Sequence, residues 1–516
     1  MTGEKKRLAA IDIGTNSIRC IVVEADAGGK FNVLDDEKAT VRLGEGLAAS
    51  GEISPEAWRR AEEALLRMKK IAEGYGVQTI EAVATSAVRK ARNGAAFVEA
   101  MARVTGVRIA VISGAEEAEL VALSARSSLD LENLRCALVD IGGGSLEIVV
   151  TAGELIEEIF SLELGAVVLT EEFLPKDPVP AKDLRELRKH VRSTLKKYLA
   201  GESFDVQCLV GSGGTMTTIA GMVMAMRKEQ FSSVHGYDVL RSEVVHLLAM
   251  LERKTLKERK ALPGLSPDRA DIILAGVAAV DEVMRYFGVN ILRVNERGVR
   301  QGLILKSLEK HGLAPLPEEA KNRIASVWDF ARQCHVNESH AGQVAKLALD
   351  IFDSVGPAFG LEGRNRQLLE AAAILHDVGY LINYEKHHQH SYHLIRHANL
   401  FGFSPREKEV VANLARYHRK KLPRKKHENF ALLPPEDRRL VKQLAGILRL
   451  ADGLDRRRNQ AVEALDCQLT DSGLRITLHG QEDLSVEIYG GETKGDLFEE
   501  AFGCKLSLES GLPVQT

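Results

Sequence analysis

Short apolar runs ending in glycine alternate with amphipathic stretches over roughly the first 310 residues. RLAAIDIG (7–14) and SIRCIVVEAD (17–26) predict two strands joined by a Gly-Thr-Asn turn. From Pro55 to Tyr75 the apolar positions return with helical period among good helix formers. A strand near Ile80–Thr85, a helix near Ala95–Val104, a strand at Val107–Ser113 and a helix from Ala115 follow. The pattern then restarts. Residues 136–165 read as a strand, a glycine turn and two more strands, repeating the opening at an offset of 128 residues from Asp12 to Asp140. A third strand and glycine turn at CLVGSGGTMTTIAG (208–221) leads into a helix. Such alternation predicts layered α/β structure. The expectation is two related α/β domains, 1–128 and 129–308, facing each other across a cleft.

The pattern changes after Leu313. APLPEEA (314–320) reads as a linker, and helical periodicity follows over Glu318–Cys334, Ser339–Ser354, Arg364–His376, Pro405–His418 and Pro435–Ala451. From about Val462, LRITLHG and LSVEIYG alternate as strands do. A helical domain over 315–460 and a small α+β tail over 461–516 are therefore expected.

Composition narrows the function class. The 516 residues allow about three or four domains. With 45% hydrophobic and 27% charged residues, the chain is neither disordered nor fibrous. Its net charge of −3 argues against a general nucleic-acid coat. No apolar run approaches the ~18 residues of a membrane span, and Asp12 interrupts the first apolar stretch too early for a secretory signal. Six scattered cysteines with no CxxC pair suit a reducing cytoplasm. The histidines are uneven: 11 of 15 fall between His311 and His427.

Candidate chemistry gathers at the three glycine turns, Asp12–Ser17, Asp140–Ser145 and Gly211–Thr215. Glycine lets successive backbone N–H groups approach phosphate oxygens, and Thr15, Ser17, Ser145 and Thr215 add hydroxyl donors. Neither Walker A nor GxGxxG fits these turns. Asp12 and Asp140 end their strands, where oxygen ligands and waters could hold a hard divalent cation. Glu147 follows on the outgoing strand, and Glu116-Glu117 open a helix whose N-terminus favours acidic residues in any case.

On AIDIGTNSIR, ATSAVRKARN, VISGAEEAEL, VDIGGGSLEI, LELGAVVLTE, VGSGGTMTTIAG and VNERGVRQGLI, residues 8–308 resemble the exopolyphosphatase and guanosine pentaphosphate phosphatase family. That resemblance implies two actin-like ATPase (ribonuclease H-like) domains and a cytoplasmic, Mg²⁺- or Mn²⁺-dependent phosphoanhydride hydrolase, expected as a homodimer. It places the catalytic glutamate at Glu117 or Glu116, with Arg89 beside it. Thr15, Asn16, Ser17, Gly142, Gly143, Gly144, Ser145, Gly213, Gly214 and Thr215 are the implied phosphate contacts, and Asp12, Asp140 and Glu147 the implied metal residues. Inorganic polyphosphate is the expected substrate, guanosine pentaphosphate the alternative, and a polyphosphate- or nucleotide-binding regulator with weak catalysis the non-enzymatic reading. ATP-using kinases and chaperones of the same superfold compete as enzymes.

The helical region resembles the same family's C-terminal half at LLEAAAILHDVGYLINYEKHHQHSYHLI (368–395) and LARYHRKKLP (414–423). His340, His376-Asp377 and Asp452 also follow the H…HD…D order of HD-superfamily phosphohydrolases, implying an all-α HD-like domain with a second divalent metal. The competing reading is a buried polar network without activity. His387, His388, His390, His393 and His397 read as surface or interface histidines outside the metal set; His418 fits either role. Between Arg416 and His427, seven of twelve residues are basic: Arg416, Arg419, Lys420, Lys421, Arg424, Lys425 and Lys426. They read as a track for a long polyanion or as a solvated loop. Nucleic acid is not expected as the partner, because aromatics are 5% and no stacking platform accompanies the basic stretch.

Overall fold

The structure is a computed structural model that describes residues 5–132, 134–199, 204–313, 322–470 and 473–511. It divides into two compact units, Met1–Glu318 and Glu319–Thr516. The expected linker, 314–320, lies outside the described residues.

The first unit contains two sheets. In one, β1 (Lys6–Ile13), β2 (Ser17–Ala25), β3 (Phe31–Thr40), β4 (Thr79–Ala84) and β5 (Ile109–Val111) lie in the order β3-β2-β1-β4-β5. In the other, β6 (Arg135–Ile141), β7 (Leu146–Ala152), β8 (Leu155–Leu162), β9 (Cys208–Ser212), β10 (Tyr237–Leu240) and β11 (Ile291–Val294) lie in the order β10-β11-β9-β6-β7-β8. Each sheet begins with an antiparallel meander and continues through a strand parallel to the first, β4 beside β1 and β9 beside β6. The repeat expected from Asp12 and Asp140 is thus a repeat of topology. β3 has no counterpart in the sequence reading, because FNVLDDEKAT is an exposed edge strand with little apolar patterning.

Two helices tie the lobes together across the expected boundaries. Helix Gly114–Arg126 follows the first sheet, yet Ala118, Ala122 and Ala125 pack with Cys136, Leu138 and Val149 of the second. Helix Val299–Lys310 follows the second sheet, yet Ile304 and Leu308 join Leu8, Ala10 and Ile21 of the first. The two helices touch where the backbone oxygen of Leu120 lies 2.1 Å from where a Cβ on Gly302 would stand, so only glycine fits there.

The second unit is helical with one small sheet. Helices Arg323–Gln333, Glu338–Val355, Gly363–Leu375, His387–His397, Pro405–Tyr417 and Pro435–Leu454 enclose one core. The strands β12 (Ala464–Thr470), β13 (Gly473–His479) and β14 (Lys505–Ser510) form the sheet. Ile476, Leu478, Leu497, Phe498 and Phe502 are buried in the same core as the helices, so the small sheet and the helix that carries Leu497–Phe502 are built onto that core. One expected strand is a helix. LSVEIYG lies mostly in Ser485–Lys494, which lays Gly490 and Gly491 against Gly453 of the long helix Pro435–Leu454. Its short apolar alternation fits either period, and close packing at the glycines selects the helix.

Candidate functional site

In the first unit, the glycine turns at the strand ends meet around a cavity of about 140 Å³. Asp12, Gly14, Thr15, Asn16 and Ser17 line it from the first lobe, and Asp140 with Gly142–Ser145 and Gly213–Gly214 from the second. The loops interlock closely: a Cβ on Gly144 would stand 2.6 Å from Ser86 Oγ and 2.8 Å from Thr15 Oγ1. Thr215, expected as a hydroxyl donor, is buried and packs its Cγ2 where a Cβ on Gly276 would be. Its side chain is turned away from the cavity, whereas Thr217, two residues further along the helix, lines it.

The two candidate glutamates have different surroundings. Glu116 closes a capping box: its carboxylate accepts from the Ser113 backbone at 2.7 Å while Ser113 Oγ accepts from its N–H. Those hydrogen bonds hold its pKa below the ordinary value. Glu117 is 7% exposed, lines the cavity and lies 3.5 Å from Arg89 Nη1. Arg89 donates its shorter hydrogen bond, 2.6 Å, to the backbone oxygen of Ile112, which fixes the guanidinium beside Glu117. Burial, then the facing carboxylates Glu147, Asp12 and Asp140, push the Glu117 pKa well up, and Arg89 offsets part of this.

The other carboxylates respond in the same direction. Burial and then Asp12 raise Asp140 to about 6; burial and then Asp140 raise Glu147 to about 7. Asp12 is raised by burial against the opposing charges of Arg300 and Arg19. Asp12 Oδ1 and Glu147 Oε2 are buried without a hydrogen-bond partner, which suits a cation nearby. Glu147 lies behind the cavity wall, with Oε1 accepting from Ser161 at 3.1 Å. Asp12, Asp140 and Glu147 do not bring three oxygens together within 4.8 Å. Asp12 and Asp140 facing the cavity fit an ion such as Mg²⁺, which keeps several waters and takes one or two carboxylates plus substrate phosphates.

Sequence reading missed the cationic wall. Arg19, Arg269, Arg297 and Arg300 line the cavity. Arg269 lies flat on the third glycine turn, its Nη1 2.0 Å from where a Cβ on Gly214 would stand. Its Nε has no partner, and burial, with Arg19 close by, lowers its pKa to about 10. Arg300 is held by Asp36. Arg269 gives no sequence signal in the short segment SPDRAD, whereas Arg297 and Arg300 sit inside VNERGVRQGLI.

In the second unit all four expected metal residues converge. His340 Nε2 lies 3.6 Å from Asp452 Oδ1 and 3.9 Å from Asp377 Oδ2; His376 Nε2 lies 3.9 and 3.5 Å from the same two atoms. The surface reading of His387 is overturned. It is 1% exposed, and its Nε2 lies 3.2 Å from Asp377 Oδ1, with His418 Nε2 3.7 Å from the same oxygen. Gly379 is the cause: a Cβ there would stand 2.0 Å from the His387 backbone oxygen, so glycine lets helix His387–His397 close over the His-Asp turn. Ser391 pins the closure, donating to the His376 carbonyl at 2.7 Å and accepting from the Gly379 N–H at 2.9 Å. His388 is also buried, while His393 and His397 are exposed as expected.

In the basic segment, Lys420, Lys421, Arg424, Lys425 and Lys426 are exposed, while Arg416 packs over Tyr392 and Arg419 reaches His387. A groove lined by Arg424 and Lys425 continues onto Arg438, Arg439 and Lys442 of helix Pro435–Leu454. Helical spacing hides these three from a search for basic runs.

Residues 21–311 match the Ppx/GppA phosphatase family, and residues 322–487 match its domain III. The chain belongs to the Ppx/GppA phosphatase family. Among solved structures, the Aquifex aeolicus member is 27% identical with a TM-score of 0.52, covering 60% of this chain and 99% of its own. An exopolyphosphatase from Cytophaga hutchinsonii is 26% identical with a TM-score of 0.56, covering 59% of this chain and 98% of its own. The two-sheet first unit is the actin-like fold implied by the sequence motifs, and family membership makes the chain a phosphatase. Ppx/GppA phosphatases use divalent metal ions and act on polyphosphate or nucleotide phosphates. Among the described residues, no helix is long and apolar enough to cross a membrane.

Proposed function

We propose that the cleft hydrolyses the terminal phosphoanhydride of inorganic polyphosphate, releasing orthophosphate and a chain one phosphate shorter. The observation that carries this reading is the position of Glu117: a buried carboxylate with a raised pKa facing a cavity lined by glycine-loop amides and arginines. Glu117 serves as the base that orients and deprotonates the attacking water. Arg89 positions it through the Ile112 anchor. Arg269 and the amides of Gly143–Ser145 and Gly213–Gly214 meet the equatorial oxygens, where charge accumulates. Asp12 and Asp140 would hold a Mg²⁺ or Mn²⁺ ion, with Glu147 as their buried neighbour; the ion supplies charge neutralisation on the transferred group. Guanosine pentaphosphate offers the same terminal anhydride and is the second reading. The exposed basic groove favours a long polyanion over a compact nucleotide. Cytoplasmic location and a homodimer belong to this proposal through the family resemblance.

The test is orthophosphate release from long-chain polyphosphate and guanosine pentaphosphate, side by side. Faster release from polyphosphate by wild type is expected. Glu117→Gln is expected to lose about 10²- to 10⁴-fold in kcat while still binding ligand, and unchanged release would remove Glu117 as the base. Ligand binding with no release by wild type would favour the regulatory reading.

A further inference from the structure

Arg269 brings to the cleft a charge that its neighbours in the chain would ordinarily neutralise. Asp268 and Asp271 flank it in SPDRAD, and they are the largest opposing charges acting on it, ahead of Asp140. Both carboxylates are instead occupied by the first lobe. Lys38 Nζ lies 2.7 Å from Asp268 Oδ2, and Thr40 Oγ1 donates to the same oxygen at 3.1 Å. Ser266 Oγ meets the other oxygen of Asp268. Arg42 Nη1 lies 2.8 Å from Asp271 Oδ2, and its Nη2 donates to the Asp268 backbone oxygen at 3.4 Å. Arg269 is left lining the cavity beside Gly214, with no partner for its buried Nε. Arginine and a carboxylate form one of the stronger hydrogen-bonded pairs, so the occupation of Asp268 and Asp271 decides whether this guanidinium faces phosphate or its own neighbours.

The backbone of Arg42 is arranged for the same end. Its φ is 54°, in the left-handed region that residues other than glycine seldom adopt. In that conformation its N–H donates to Asn16 O at 2.9 Å, beside the Val41 N–H at 3.1 Å from the same oxygen, and the Gly44 N–H donates to Thr15 O at 2.9 Å. Arg42 therefore hangs by its main chain from the first glycine turn and reaches with its side chain to both residues that flank Arg269. Within the second lobe, the buried Arg259 donates from Nη1 to Ala270 O at 3.3 Å, so the segment keeps an anchor of its own. What the first lobe adds is the occupation of the two carboxylates. We propose that Arg42 and Lys38 are positioning residues for the reaction in the cleft: by engaging Asp271 and Asp268 they withhold both carboxylates from Arg269, which stays turned toward the terminal phosphate. Neither residue touches the reacting atoms; both act through Arg269. The tie from Arg42 to Thr15–Asn16 couples this alignment to the loop that lines the same cavity. The inference rests on the phosphate contact given to Arg269 above.

The test uses the full chain with Mg²⁺. Arg42→Gly removes the side chain and suits the positive φ, and Lys38→Met replaces an exposed residue. The pair Lys38→Met/Arg42→Gly is expected to lower kcat on long-chain polyphosphate by about 10²-fold, as a misplaced group does, with KM little changed because the rest of the polyanion still binds. Lys38→Arg is expected to keep the wild-type kcat. Adding Asp268→Asn and Asp271→Asn to the pair is expected to restore most of kcat, since no carboxylate remains to capture Arg269. A role in merely holding the segment predicts no recovery, and that result overturns the proposal. So does an unchanged kcat in the pair, or a further loss when the pair is placed in an Arg269→Ala background. Circular dichroism establishes that each variant is folded; if the pair is not, Arg42→Gly alone carries the same decision. Calorimetric binding of imidodiphosphate, whose P–N–P bridge resists hydrolysis, separates this inference from the hydrolase reading. The pair is expected to weaken its Kd by about 10-fold, with the same recovery on removing the carboxylates. If wild type binds without turnover, the hydrolase reading falls and the Kd pattern decides the positioning, an unchanged Kd overturning it. No binding by wild type overturns both.

Discussion

Glu116 and Glu117 are neighbours with the same side chain, and one helical step separates a cap from a buried group in the cleft. Ser113 occupies Glu116 in a capping box, leaving Glu117 on the next face, against Arg89. Its pKa, raised by burial and facing carboxylates, sets a pH signature. As the proposed base, Glu117 works only when deprotonated, so activity is expected above the raised pKa and falls as pH drops through it. The acid limb of kcat/KM is expected above the ordinary carboxylate range, and a limb at or below that range would remove the argument. At the third turn, Gly214→Ala places a methyl group on Arg269. The guanidinium must shift, and loss of an oxyanion-stabilising donor lowers kcat by about 10²- to 10³-fold. An unchanged kcat would mean that Arg269 does not meet the reacting phosphate. As cavity-lining residues, Glu117 was legible to within one position, whereas Arg269 was not, because it reaches the cavity by close approach to a loop 55 positions earlier in the chain.

At the scale of elements, strands ending in Asp-Ile-Gly were legible because burial on both faces writes a continuous apolar run and the turn demands glycine. The edge strand β3 and the helix at Ser485–Lys494 were not. The first has too little burial to leave a pattern, and the second is set by contact with another helix. Gly453 and Gly490 bring those two helices within backbone contact, with a Cβ on Gly453 standing 2.5 Å from Gly490 O. Gly453→Ala is therefore expected to reduce unfolding free energy by about 1–3 kcal/mol through overpacking. Urea denaturation of the full chain measures this, and an unshifted midpoint would show that the helices separate freely. His387 belongs to the same lesson. Its helix carries five histidines, and only the approach at Gly379 selects which of them turn inward.

Across the whole molecule, a net charge of −3 coexists with a local basic groove. If the groove holds polyphosphate, binding releases counterions, and log Kd depends steeply on log salt. Replacing Arg424, Lys425, Arg438 and Arg439, which line it, by alanine is expected to reduce that slope by up to about 3, taking about 0.7 per contact as for other single-stranded polyanions. An equal slope in both proteins would leave the groove as a solvated surface. Periodicity and the glycine turns determined the two-lobed α/β class, the repeat, the helical C-terminal region and most of the cleft, because each is written in local burial or turn geometry. Tertiary structure alone decided the crossing of the two connecting helices between lobes, the arginine wall, and the inclusion of His387 and His418 around Asp377. Those features depend on contacts between segments far apart in the chain, which leave no period and no spacing to read.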